Sequence, residues 1–544
     1  MIDEDRKRLY YEKGYWTPAT IADVWDHQVI AHHDDEYVVD SRGHRYTYAQ
    51  VDRDAAKLAA WLRVVGVEEG DVVSFQLPAW SEFCIVYIAC LKAGAVINPL
   101  SMSLNARDLV YALNLTETAA FICPTFFHKT DYEAQIAEVA SKIPSLKGVV
   151  LFDEMYPAKD NNLTWSALKS SYQPRNPPLE KTTSDSVALI LFTSGTTDAP
   201  KAVLLTHNNI LFSERGFVSA LHLTSEDIMF MPAPLNHATG FNHGLIAPMI
   251  LGGKVVVQEK FSGSSAIDLM NAEHATWSMG ATPFIYDILS AIGETGNYPR
   301  DLRFYISGGA PVPGSMVQCA SNNGIVLCEC YGSTESCPHI VVPPEHALEW
   351  DGVCSGCAQE GIEVRVVDKA GNPVGPDVLG EELSRGPQVF VGYLHDDEEA
   401  RRVLDTDGWF HSGDLCTQDT EGRIRIKGRI KEVIIRGGEN VSASEVDECI
   451  NDCPGVGAHA TIGMSDKRLG ERICTFLVPT DRTCPPALAE ITTYLEGIGV
   501  RKRLWPEHIE YVDTIPRTES GKVRRGVLVD ILSERMGKQT LNLT

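Results

Sequence analysis

No stretch of this chain is apolar for long enough to cross a bilayer. A transmembrane helix needs about 20 such residues, and the best run, Phe83 to Leu100, is interrupted by Lys92 and Gly94. Positive charge is also scarce, with 48 Lys and Arg against 73 Asp and Glu, a formal net charge of −25. Such a balance repels phosphate backbones and anionic headgroups, which argues against nucleic acid or a membrane surface as a general partner. The N-terminus, Met1-Ile-Asp-Glu-Asp-Arg6, lacks the charged-then-apolar order of a secretory signal. The 14 cysteines are scattered, so a reducing, cytoplasmic setting is expected. Cys354-Ser-Gly-Cys357 has no second CxxC and no nearby His pair, so ordinary thiols are expected there, not a zinc or redox site. Internal repeats and low-complexity tracts are missing too.

What is present is ample material for a core: 544 residues, 44% of them hydrophobic, more than one ordinary domain requires. Val51, Ala55, Leu58, Leu62 and Val65 recur at helical spacing. A strand pattern follows over Asp71 to Leu77, then an apolar helix over Glu82 to Ala93, then the short run Ala95 to Pro99. The same alternation returns between Ile210 and Gly309, which predicts α/β architecture with largely buried parallel sheets. From about Gly356 the texture changes to closely spaced strands and turns, at Ile362–Val367, Gly380–Pro387 and Gly422–Gly428, which fits a small antiparallel barrel or sheet. A boundary is expected near Lys431, and the chain beyond it is long enough for an independent α+β unit.

One loop carries the first chemical signal. The buried-strand pattern Val187–Phe192 runs into Thr193-Ser-Gly-Thr-Thr197 and reaches Lys201, a segment dense in hydroxyls and backbone donors that suits polyphosphate. The GxxxxGK[ST] spacing of P-loop NTPases is absent, and a Ser/Thr/Gly turn alone is an ordinary surface loop. Four further motifs follow in order: Ser307-Gly-Gly-Ala-Pro311; Tyr331-Gly-Ser-Thr-Glu335; Gly408-Trp-Phe-His-Ser-Gly-Asp414 with Gly428-Arg429; and Pro516-Arg-Thr-Glu-Ser-Gly-Lys522.

Together, over essentially the whole length, these segments resemble the ANL superfamily of adenylate-forming enzymes, which includes acyl-CoA synthetases, peptide-synthetase adenylation domains and luciferases. The resemblance implies an N-terminal domain over 1–429, made of two doubly wound α/β subdomains plus a small β-barrel-like part at about 356–429. A hinge at 430–431, centred on Lys431, then leads to a small mobile α+β lid over 432–544. It also implies an ATP and AMP site from Thr193, Ser194, Gly195, Thr196, Thr197, Lys201, Gly309, Ala310, Pro311, Tyr331, Gly332, Ser333, Thr334, Asp414, Arg429 and Lys522. Within it Tyr331 lies against adenine, Asp414 accepts from the ribose hydroxyls, and Glu335 with Thr196 holds Mg²⁺, a cation that prefers hard oxygen ligands. Lys522 bridges carboxylate and α-phosphate, and Gly437 and Gly438 face coenzyme A.

Within that superfamily, Pro234-Leu-Asn-His237-Ala-Thr-Gly240 resembles the acyl-CoA synthetase motif whose His gates the acyl pocket. Trp277, Gly280, Ala281, Thr282 and Pro283 are the matching candidates for its wall. Amino-acid-activating relatives usually place an Asp nearby, and none appears here, which favours a plain carboxylic acid. About 20 residues follow Lys522, too few for a carrier domain, so free coenzyme A is the expected thiol. The expected enzyme is an AMP-forming acid–CoA ligase, most like bacterial short- and medium-chain fatty-acid–CoA ligases. A cyclic, aromatic or carnitine-like acid, adenylate-forming oxygenation and a non-catalytic acyl- or nucleotide-binding relative stay open, as does a homodimer. One departure stands out: Asp198 and Ala202 replace the usual glycines of the phosphate loop, which places nucleotide affinity in question.

Overall fold

A computed structural model of the protein describes residues 4–153, 156–159, 163–175, 179–193, 200–309, 312–350, 354–437, 439–466 and 468–541, the last five without side chains. Two large sheets dominate. The nine-stranded sheet has at its centre six parallel strands, in the order Val326–Tyr331, Phe304–Gly308, Trp277–Gly280, Ile228–Met231, Lys254–Val257 and Glu36–Asp40. The seven-stranded sheet holds Val187–Phe192, Val96–Pro99, Val72–Phe75, Ala120–Pro124 and Gly148–Phe152 in parallel, with Ala202–Thr206 and Gly392–Tyr393 added antiparallel at one edge.

Helices cover these sheets. The helix Ser81–Ala93 is buried on every face, which is why its sequence is apolar all round. Lys92 does not interrupt it, because the ammonium reaches Asp52 at 2.6 Å and Asp26 at 3.0 Å with 4% of its side chain exposed. Gly94 then ends the helix in the left-handed conformation at φ 66°, the cap that glycine adopts without a Cβ penalty.

The β-rich part is a four-stranded antiparallel sheet: Glu363–Val367, Gly380–Arg385, Phe410–Gln418 and Ile424–Arg429. Beyond a short turn at Ile430–Glu432 comes a five-stranded mixed sheet with the helices Ala443–Ile450, Leu488–Gly497 and Arg525–Leu541 and a core of its own. A large α/β body followed by a small α+β unit is the expected fold class. The small unit rests on the large one: Ser442 Oγ donates to Lys427 O at 2.6 Å, and Ser101 Oγ donates to the Glu519 carboxylate at 2.7 Å. Among the described residues no helix is long and apolar enough to cross a membrane.

Candidate active site

Parallel α/β sheets present their loops, and hence their ligand sites, at the carboxyl ends of the strands. Here those ends are Gly280, Gly308 and Tyr331, and the loop carrying Lys522 arrives at the same place. That loop is a tight turn. Thr518 N donates to Lys522 O at 2.8 Å, Lys522 N donates to Thr518 Oγ1 at 3.1 Å, and Gly521 adopts φ +86°. A methyl on Gly521 would stand 3.3 Å from Ala281 and Pro283, so those residues seat the turn. A methyl on Gly309 would stand 3.0 Å from Lys522 Cε, and Gly309 has φ +89°, so both space and backbone require glycine there. Partial burial, with Arg429 near, draws the Lys522 ammonium below its ordinary pKa, against the opposing pull of Asp414 and Glu335.

Asp414 is the centre of a second group. Tyr331 Oη donates to its Oδ2 at 2.7 Å and Arg429 Nε to its Oδ1 at 2.8 Å, and Asp414 and Arg429 are directly paired across adjacent strands. Tethering the phenol by its edge leaves the ring of Tyr331 fixed in orientation. Each carboxylate oxygen still has a lone pair to offer.

The turn Gly332–Glu335 follows immediately. Ser333 N donates to Ser336 O at 2.9 Å and Phe390 N donates to Glu335 O at 2.8 Å. Glu335 Oε1 accepts from Tyr393 Oη at 2.8 Å. The ring of Tyr393 also lies under Lys201, whose Nζ is 5.3 Å from the centroid and is paired with Glu399. Arg402 grips the same carboxylate, and these cations hold Glu399 down at about 2. Tyr393 and Glu399 were not legible as site residues. The strand Gly392–Tyr393 reaches Lys201 by pairing with Ala202–Thr206 across nearly 200 positions, and no local pattern announces that.

Ser194, Gly195, Thr196, Thr197 and Asp198 lie outside the described residues, as do Ala310, Pro311 and Gly438. The neck of the loop expected to bind phosphate is described: Thr193 N donates to Lys201 O at 2.9 Å. Ala202 starts the strand Ala202–Thr206, opposite Phe192, with no positive φ, so the position needs no glycine.

On the far side, His237 precedes an eight-residue π-helix, Thr239–Ile246, and accepts at Nδ1 from Thr239 N at 3.3 Å. Such wide turns are uncommon and recur at functional sites. Desolvation, with Lys522 and then His243 adding repulsion, holds the His237 imidazole down at about 3, so it is neutral at ordinary pH. Trp277 is fully buried against Phe217 and Phe304, Gly280 faces Tyr305 Oη, and Thr282 Oγ1 lies 3.4 Å from Ser307 Oγ. Lys431 is exposed in the turn between the two units, where its neighbour Glu432 pairs with Arg525 at 2.9 Å. Gly437 adopts φ +59° and donates to Leu469 O at 2.7 Å, within the small unit. The Cys354 thiol is pushed up to about 11 by burial, and Cys357 shifts the same way, so neither is a ready thiolate.

The sequence matches the AMP-binding enzyme family over residues 25–394 and the AMP-binding enzyme C-terminal domain over residues 445–522. It is 39% identical to the medium-chain fatty-acid–CoA ligase of Escherichia coli strain K12, covering 98% of this chain and 94% of the relative. It is 31% identical to a feruloyl-CoA synthase of an Amycolatopsis species, covering 89% and 93%. Among solved structures, ATP-bound MatB from Rhodopseudomonas palustris superposes with a TM-score of 0.83 at 26% identity, covering 94% of this chain and 98% of that one.

Proposed function

The chain belongs to the AMP-binding enzyme family, as an AMP-forming acyl-CoA ligase, and on that footing we propose that it activates a short- or medium-chain carboxylic acid with Lys522 as the catalytic cation. The carboxylate attacks the α-phosphate of ATP to give acyl-adenylate and pyrophosphate, and the thiol of coenzyme A then displaces AMP. The substrate supplies the nucleophile, so the protein contributes position and charge. The single observation that carries the reading is Lys522 packed against Gly309, with Asp414, Arg429 and Glu335 acting on its charge.

In this reading Asp414 accepts from the ribose hydroxyls, Tyr331 lies against adenine, and Thr193 to Thr197, Lys201 and Thr334 receive the phosphates. Glu335 suits Mg²⁺: it is a carboxylate with one oxygen anchored by Tyr393, and among the described residues its other oxygen carries no hydrogen bond. The Thr196 hydroxyl would complete the protein's share, and the ion would neutralise triphosphate charge. His237, kept neutral, borders the reacting carboxylate without competing as a cation. After adenylation the unit beyond Lys431 turns, withdrawing Lys522 and bringing Gly437 and Gly438 toward coenzyme A. The E. coli relative favours a medium-chain acid, while the feruloyl-CoA synthase keeps an aromatic acid as the second reading.

Mass spectrometry of a mixed-acid panel with ATP, Mg²⁺ and coenzyme A tests the proposal, with CoA thioesters of saturated acids as the expected products. Absence of acid-dependent pyrophosphate would refute it. Two further outcomes follow from the site. Glu399→Gln weakens the hold on Lys201, and because partly exposed ion pairs are worth about 0–1 kcal/mol, the KM for ATP should fall by up to about fivefold in steady-state assays. The lowered pKa of Lys522 gives kcat/KM for ATP an alkaline limb below pH 10.5, since the protonated amine is the active form and kcat/KM reports the free enzyme. Thioester formation from supplied acyl-adenylate should lack that limb.

A further inference from the structure

Arg429 has a neighbour on its own strand, Ile424–Arg429, that the chemistry above does not use. Arg425 has only 9% of its side chain exposed, and a charge so far removed from water needs compensation. Two carboxylates supply it. Nη1 donates to Glu329 Oε2 at 3.3 Å, and Nη2 donates to Glu448 Oε1 at 3.5 Å. Nε is buried with no partner, so among the described residues these two bonds are all that the guanidinium makes. The carboxylates belong to different bodies. Glu329 lies on Val326–Tyr331, within the nine-stranded sheet, whereas Glu448 lies on the helix Ala443–Ile450, beyond the turn Ile430–Glu432 and in the small unit.

Both ends of this link are anchored. Glu329 Oε2 also accepts from Val312 N at 3.3 Å, the residue that follows Ser307-Gly-Gly-Ala-Pro311, and Gly309 of that segment packs against Lys522 Cε. On the other side, Glu445 pairs with Arg503 at 3.1 Å and Asp447 with Arg525 at 2.7 Å, both inside the small unit. Glu448, on the same helix, has its ion pair across the boundary instead. The start of the helix is seated on the strand that carries Arg425: Ser442 Oγ donates to Lys427 O at 2.6 Å, and a methyl on Gly428 would stand 2.5 Å from Ser442 Oγ. Burial raises the pKa of Glu329 and of Glu448, and in each Arg425 is the strongest influence opposing the rise.

We propose that Arg425, fixed by Glu329 beside the segment that seats Lys522, is a positioning residue: through Glu448 it latches the small unit in the arrangement used for adenylation. This rests on the acyl-CoA ligase reading and on the turn of the small unit between half-reactions. With the unit docked, the guanidinium faces two carboxylates. When the unit turns, Glu448 leaves with its helix and Arg425 keeps Glu329 alone. A contact shifts a two-state equilibrium only by what it adds to one state over the other, and here that difference is one ion pair. The pair suits a latch that opens once per turnover. Its 3.5 Å bond is longer than the roughly 2.7–2.9 Å of strong charge-assisted bonds, and Glu448 is one-third exposed, so the link holds without locking.

The test follows each half-reaction in single turnover with the full-length protein: pyrophosphate release from acid and ATP, and thioester formation from supplied acyl-adenylate. The quantity compared is the ratio of the first rate to the second. Glu448→Gln removes the charge and is expected to lower that ratio by about three- to fivefold, the scale of a partly exposed ion pair. Glu448→Lys sets two cations against each other and should lower it by at least about tenfold. Arg425→Lys keeps a charge beside buried Glu329, which protects the fold, but lacks the fork that spans two carboxylates, so it should act as Glu448→Gln does. Combining Arg425→Lys with Glu448→Gln should cost no more than the larger single loss, because both break the same link. General loss of packing would slow both half-reactions and leave the ratio in place. A ratio that either Glu448 variant fails to lower overturns the inference alone, as do losses that multiply in the double variant. No pyrophosphate from the unaltered protein with any acid overturns the ligase reading and this inference with it.

Discussion

Lys522→Ala is expected to lower the rate of acyl-adenylate formation by about 10²–10³-fold, the cost of removing one preorganised charge-stabilising group, or about 3–4 kcal/mol. Conversion of supplied acyl-adenylate to thioester should stay within a few-fold of normal. The asymmetry comes from where the lysine sits. Its turn is held to the large body by short contacts, Gly521 against Ala281 and Pro283 and Ser101 against Glu519, and none of these is in the covalent neighbourhood of the hinge turn. In the proposed cycle the unit beyond Lys431 turns and carries the ammonium away with it, so the second half-reaction proceeds without it. Single-turnover assays of each half-reaction, by pyrophosphate release and by CoA thioester formation, separate the two. Equal losses in both would refute the assignment of Lys522 to the first step. The fold should survive, because the truncated side chain lies beside Gly309 and leaves the small unit's core, around Ile462, Phe476 and Leu528, untouched.

How much of this was legible in the sequence depends on how local the signal was. Val187–Phe192 is a strand with the limits its apolar run sets, and the helix expected from Glu82 begins one residue earlier, at Ser81. The expected strand over Asp71 to Leu77 shortens to Val72–Phe75, since its ends lie in turns that period-two patterning does not resolve. Long-range choices were invisible. Glu36–Asp40 joins the large sheet beside Lys254–Val257, more than 200 residues away, and nothing in its five residues names that partner. Lys92 reads as an interruption of an apolar run until Asp52 and Asp26 are placed around it. The site divides in the same way. Tyr331, Asp414, Arg429 and Lys522 stood in recognisable motifs, and the structure brings them together. Tyr393 and Glu399 meet the site through partners 58 and 198 positions away, so they carry no motif.

Asp414→Asn separates gripping the nucleotide from catalysing its reaction. The carboxylate bonds Tyr331 Oη and Arg429 Nε, and in the proposed complex the ribose hydroxyls as well. The amide keeps the shape but offers one acceptor oxygen in place of two and loses the charge that Arg429 pairs with. Hydrogen bonds to charged groups are worth about 1.5–3 kcal/mol each, so the KM for ATP should rise by about two orders of magnitude, with a smaller change in kcat. That pattern marks an interaction made equally in ground and transition states. The ribose belongs to the acyl-adenylate as it does to ATP, so Asp414→Asn should weaken use of supplied acyl-adenylate by a similar factor, where Lys522→Ala spares it. A KM for ATP within about threefold of normal would show that Asp414 serves chiefly to hold Arg429 and Tyr331 in the free protein. Damage to both half-reactions from Asp414 and to one from Lys522 is the signature of a nucleotide that stays in place while the lysine leaves.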